Sequence, residues 1–301
     1  MALSALVALV VAQSPAEAPD PYLLPIGPKR QVTVHLDTIT ATRNEATVTV
    51  DDIAKAARGK RFVYLGEQHA TAAHQQLQAD IIEALVRQGR TVVVGLEMIT
   101  RPKQSILDTW NTAGDEATFL KDIDWKGQWG FDFKFYRPIF EATRRNNIPM
   151  VALNVPRDWV RSVGRGGFAA LTAEQKAELP EELSLKNTKH RAVFDALMGG
   201  HPPTGPQGEN IYSAQVLWDE GMADTALKYL EAHRGDKKDV FVVIAGVGHV
   251  MYGQGINYRV AKRRGGRGIT VAMMTSQSDR QVSKGIADFV YVSREVAPSP
   301  K

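Results

Sequence analysis

The chain has 301 residues, 44% of them hydrophobic and 23% charged, which fills a sizeable core and is too apolar for a disordered protein. Its net charge of +4 is spread along the chain and not gathered in a stripe, which argues against nucleic acid as a partner. Cysteine is absent, which excludes disulfides, thiolate zinc sites, iron–sulfur clusters and cysteine nucleophiles, and leaves His, carboxylate or Tyr to hold any metal.

Met1 to Ala12 form an apolar run, followed by Gln13-Ser14-Pro15 and then Ala16-Glu17-Ala18, a small-x-small pattern that a signal peptidase cuts. Residues 1–18 therefore read as a signal segment, and the mature protein as exported, periplasmic or envelope-associated. The run is short for a permanent bilayer span, and no Lys or Arg precedes Lys29. With no cysteine to carry a lipid, a lipoprotein is not expected. Pro and Ala make residues 19–30 a linker, and residues 31–301 read as one domain. Val32, Val34 and Leu36 alternate with polar residues, Arg43-Asn44-Glu45 supplies a turn, and Ala46, Val48 and Val50 alternate again, the pattern of a hairpin. Asp51-Asp52 then cap a short helix from Ile53 to Arg58.

Apolar, β-branched runs predict buried strands at Arg61–Leu65, Thr91–Leu96, Pro149–Leu153, Asp239–Ala245, Ile269–Met274 and Phe289–Ser293. Helical patterns at His74–Arg87, Phe133–Asn146 and Asn210–Ala232 separate them. Alternating strands and helices, with strands apolar on both faces, predict an α/β fold with a mostly parallel central sheet flanked by helices. Arg101 to about Trp129 and Val160 to Gly208 carry Gly, Pro and short helices, and read as helical insertions over the carboxyl ends of the strands.

Ligands of open parallel sheets bind beyond those carboxyl ends. Here the first main strand delivers Glu67 and His69, with His74 opening the next helix. The second delivers Glu97, the third Asn154 and Arg157, and the fourth Gly246-Val247-Gly248-His249. Glu97 is costly to bury unpaired, and the two glycines let the backbone turn tightly before His249. Arg157 is read as neutralising Glu97 or Glu67. The five-residue step from His69 to His74 differs from the i, i+4 pair of a zincin helix, no third glycine follows Gly248, and no phosphate loop or nucleophile elbow is present. A His/carboxylate pocket remains, suited to a divalent metal or to general acid–base work. Trp125, Trp129, Phe131, Phe133, Phe135 and Tyr136 crowd together, either as a satellite hydrophobic cluster or as the wall for a flat macrocycle. Tyr136, Tyr212 and Tyr252 are candidate ligands of ferric haem.

The ordered set Leu65-Gly66-Glu67-Gln68-His69 with His74, Gly95-Leu96-Glu97-Met98, Leu153-Asn154-Val155-Pro156-Arg157, Gln215-Val216-Leu217-Trp218-Asp219 with Met222-Ala223, and Ala245-Gly246-Val247-Gly248-His249-Val250 with Gly255-Ile256 resembles the ChaN-like haem-binding proteins. These are grouped with the Tiki/TraB and erythromycin esterase-like proteins, and the resemblance runs from about Ala54 to Met274. It implies an α/β fold, an envelope location, haem or iron acquisition, a homodimer stacking two haems with tyrosine as iron ligand, and envelope transport components as partners. The esterase-like branch implies an alternative, a metal-dependent hydrolase. In that case Glu67, His69, Glu97 and His249 are catalytic, and Glu67, His69, His74 and His249 hold the metal.

Overall fold

The computed structural model describes residues 19–112, 114–180, 183–200, 204–233, 239–263 and 265–294. The expected signal segment, residues 1–18, lies outside them. Residues 19–30, expected as a linker, are instead a packed strap. Tyr22, Leu24 and Ile26 are buried against Val32, Val282 and Ile286, and Leu24 N–H donates to the Tyr252 hydroxyl at 2.9 Å. Their alternation behaves as strand chemistry does, although Pro denies the segment regular pairing.

The first run, β1 (Gln31–Val34), precedes β2 (Thr38–Ala41) and β3 (Ala46–Val48). The hairpin joins β2 to β3, while β1 pairs antiparallel with a strand far along the chain. Thr49, not Asp51 or Asp52, caps α1 (Val50–Ala56), and Asp52 closes a capping box onto it. There follow β4 (Phe62–Glu67), α2 (Ala72–Arg87) and β5 (Thr91–Thr100). The first insertion holds α3 (Gln104–Leu107), α4 (Glu116–Asp122) and α5 (Trp125–Gln128), before α6 (Phe133–Arg145) and β6 (Met150–Asn154). The second holds α7 (Arg157–Gly166), α8 (Ala173–Ala177) and α9 (Thr188–Leu197), and leads into α10 (Gly205–Ala232). The chain closes with β7 (Asp239–Gly246), α11 (Ile256–Lys262), β8 (Ile269–Ser276), β9 (Arg280–Ser283) and β10 (Phe289–Arg294). β9 is the partner of β1.

The central sheet runs β10-β8-β4-β7-β5-β6, and all of its pairings are parallel. Side chains alternate across it. Val63, Leu65, Val94 and Leu96 face α2 and α6 in one core, and Phe62, Tyr64, Val93 and Phe241 face α10 and α11 in another. The outer edge of β6 is closed by a side chain: the Gln104 amide donates to Met150 O at 2.8 Å and accepts from Ala152 N–H at 2.7 Å. Trp110, Phe119, Trp125, Phe133 and Phe140 interlock edge to face and belong to the main core, so most of the aromatic cluster is not a satellite.

Gly66 marks where β4 passes under the turn after β7. A Cβ there would lie 2.9 Å from the Val247 Cα and 2.4 Å from a Val250 methyl. Because the first neighbour is backbone, Gly66→Ala is expected to destabilise the protein by about 1–3 kcal/mol, measured by urea unfolding.

Candidate functional site

Inserting β7 between β4 and β5 brings three strand ends together, since neighbouring strands lie about 5 Å apart. Glu67 stands in register with Gly246, and Leu96 with Ile244. The Glu67 carboxylate is buried and fully engaged. Its Oε1 accepts from the Tyr136 hydroxyl at 2.9 Å and meets His69 Nδ1 at 3.0 Å, while Oε2 accepts from Gln75 at 2.7 Å. Glu97 is equally enclosed, with Oε2 accepting from Gly246 N–H at 2.6 Å and Oε1 3.3 Å from His249 Nε2. Asn154 donates to the Glu97 carbonyl at 3.0 Å, where the register of β5 against β6 shifts between Leu96 and Thr100.

His249 is held on both nitrogens, by Glu97 and by Asp219, whose Oδ1 lies 2.6 Å from Nδ1. Burial alone would lower its pKa, but the two carboxylates push it up to about 10, so both nitrogens carry protons at neutral pH. Burial would likewise raise Glu97, yet His249, His69 and the Gly246 N–H hold it below the usual carboxylate range. Asp219, against the same penalty, is pulled well down by Arg259 and His249. Its Oδ2 also meets His190 Nε2 at 2.8 Å and Arg259 Nη1 at 3.3 Å.

His69 is the open member of the group, with 34% of its side chain exposed. Burial works to lower its pKa, but Glu67 and Glu97 raise it on balance. Its ring faces Gly246, where a Cβ would come within 2.9 Å of Cε1 and 3.2 Å of Nε2. Trp129 meets it edge-on at 4.6 Å between ring centroids, and Phe131 at 5.6 Å. Phe131, Leu197 and Met198 are exposed hydrophobic residues, and Leu197 lies against Gly248 beside His249. The mouth is thus polar within and apolar around.

Other expected residues lie elsewhere. His74 is buried behind β4: Gln68 N–H donates to its Nδ1 at 3.1 Å, and its Nε2 meets Met274 O at 3.3 Å and Ser293 Oγ at 3.1 Å. Tyr252 is tied to Leu24 N–H and Pro21 O under the strap. Tyr212 is bonded to His190 Nδ1 at 2.9 Å. Arg157 is exposed and forms no ion pair with Glu67 or Glu97. The metal quartet Glu67, His69, His74 and His249 is therefore not assembled, because both nitrogens of His74 and of His249 are already used. Among the described residues no group of three or more His, Asp or Glu side chains is arranged to hold a metal ion. Asp219, His190 and Gln75 were not foreseen as site residues. Asp219 stood in the sequence only within the resemblance run Gln215 to Asp219, and the adjacent carboxylates Asp219-Glu220 in a largely buried helical stretch were a further signal. Arg259 is buried against both.

A family profile described as haem-binding uptake, Tiki superfamily, ChaN matches residues 53–260. Among solved structures, one described as cofacial heme binding to ChaN of Campylobacter jejuni is similar with a TM-score of 0.60 and 17% identity, over 88% of this chain and 98% of that one. The type III effector HopBA1 is similar with a TM-score of 0.47 and 12% identity, over 82% and 94% of the two chains. A mutant of erythromycin esterase EreC in its open conformation gives 0.47 and 13%, over 80% and 77%. No curated protein matches.

Burial lowers the His74 imidazole to about 4, against about 6.5 in an unfolded chain. As pH falls from about 6.5 towards 4 the unfolded state takes up the proton first, so stability drops by up to about 3 kcal/mol over that window. His74→Gln is expected to flatten this part of the pH dependence in urea unfolding. A slope unchanged from that of the parent protein would show that His74 is not the neutral, buried group.

Proposed function

Since the chain belongs to the haem-binding uptake family ChaN of the Tiki superfamily, we propose that it binds haem as cargo at the mouth formed by His69, Trp129 and Phe131. The observation that carries this reading is the state of His69. Its Nδ1 is held by the Glu67 carboxylate, and its Nε2 has no hydrogen-bond partner among the described residues. A carboxylate on one ring nitrogen is what orients an imidazole to offer the other to a metal. His69 is then the residue of this chain that would hold haem iron, beside aromatic rings suited to a flat macrocycle. The tyrosines fit that role less well. Tyr136, Tyr212 and Tyr252 are buried, their hydroxyls are bonded, and burial raises all three, Tyr212 and Tyr252 to about 12 and Tyr136 further. None is a ready phenolate. Export to the envelope, a homodimer and transport partners complete the reading, supported by the apolar N-terminal run and by the family.

A hydrolytic second reading is favoured by one observation, the buried Glu97–His249–Asp219 array next to an exposed His69. In that reading His69 moves the proton as general base and His249 stabilises developing negative charge.

Haemin added to the purified protein is expected to give a saturable Soret band. His69→Ala is expected to weaken binding by about tenfold or more and to move the band, as loss of an iron ligand does, while Tyr252→Phe leaves both unchanged. No saturation, or an unchanged band in His69→Ala, counts against the haem site. The hydrolytic reading predicts ester turnover that Glu97→Gln abolishes, and it fails if turnover by the variant equals that of the parent.

A further inference from the structure

On the opposite rim, where the strands begin, a cavity of about 710 Å³ opens between α11, the start of β8 and the turn from β9 to β10. Tyr64 of β4 is one of its lining residues, with its ring against Gly268, where a Cβ would lie 2.6 Å from Cε2. The Tyr64 side chain is buried, and its hydroxyl has no hydrogen-bond partner. The other buried tyrosines behave differently: Tyr22, Tyr136, Tyr212 and Tyr252 all place the hydroxyl in a hydrogen bond. A phenol O–H left without an acceptor in the interior is destabilising, but this hydroxyl is closed off from the cavity, and Tyr64 serves there as part of its floor.

The rim of the cavity supplies the complementary signal. Arg43 and Arg267 line it, are exposed and form no ion pair among the described residues, and Lys284 joins them through a 2.9 Å bond from its Nζ to Arg43 O. Among the described residues Asp288 is the one acidic member of the lining, and its Oδ2 is occupied by Thr270 N–H at 2.8 Å. Three cations against one carboxylate leave the cavity positive. Tyr258, an exposed aromatic ring, stands at the same opening.

We propose that this cavity binds a small organic phosphate, with its dianionic end on Arg43, Arg267 and Lys284 and an aromatic or apolar body against the exposed Tyr258 ring. Guanidinium groups favour phosphate through paired N–H donors, and a dianion answers the net positive rim better than a single carboxylate. The site is separate from the His69 mouth, so its fate does not depend on the haem reading.

Isothermal titration of the full chain with 4-nitrophenyl phosphate at low ionic strength tests this. Saturable binding is expected, weakened about tenfold by Arg43→Ala or Arg267→Ala, as loss of a charge-assisted pair does, and unchanged in His69→Ala. Tyr258→Ala should weaken binding of 4-nitrophenyl phosphate further than binding of inorganic phosphate, since only the former has a ring to lay against it. The proposal is overturned by absence of saturation, by binding indifferent to both arginine substitutions, or by binding of 4-nitrophenyl phosphate that Tyr258→Ala leaves unchanged.

Discussion

Charge alternation along one buried line is what the carboxyl rim depends on. Glu97 meets His249, His249 meets Asp219, Asp219 meets Arg259, Arg259 meets Glu220, and Glu220 meets Arg263. Each charge is expensive to bury by itself, and each is compensated by the next. Removing one member leaves its neighbours uncompensated, a loss on the order of 3–5 kcal/mol for a buried pair. The line also joins distant parts of the chain, from β5 through the turn after β7 to α10 and α11. It ends at Arg259 and Arg263, whose charges are thereby turned inward.

Three histidines near the first strand ends show how one residue type takes different roles through its nitrogens. His249 gives both to carboxylates and is held as a cation. His74 gives both to neutral groups in the core and is held neutral. His69 gives one to Glu67 and keeps the other towards the opening. Only that last arrangement combines orientation with availability, which is why the chemistry of the mouth is centred on it.

Much of this was legible in the amino-acid order. Apolar β-branched runs that stop at Glu67, Glu97 and Gly246 announce buried parallel strands with charges at their ends. Strand order is another matter, because nothing local says that β7 enters between β4 and β5. The fold of the ChaN structure and the family match agree with the α/β reading. The strap at residues 19–30 was hidden by its Pro and Ala content, which masks the alternation of Tyr22, Leu24 and Ile26. β9 was hidden by its brevity and polarity, Arg280 to Ser283, and with it the true partner of β1. Asp219 lies within a 28-residue helix, and its importance comes from His190 and His249, which reach it from other elements.

The Gln104 amide on β6 has a consequence for how the molecule behaves in a crowd. An outermost strand with free N–H and C=O groups is a template on which a foreign chain adds itself, the first step towards fibrils. Here one side chain occupies the Met150 carbonyl and the Ala152 amide, in the first half of that strand. At the other margin of the sheet, β10 is shielded by the β2–β3 hairpin through the Leu36–Val292 bridge and the Thr42 N–H to Asp288 O bond. Both flanks are therefore closed by short, local means, and self-association through strand addition is denied a starting place.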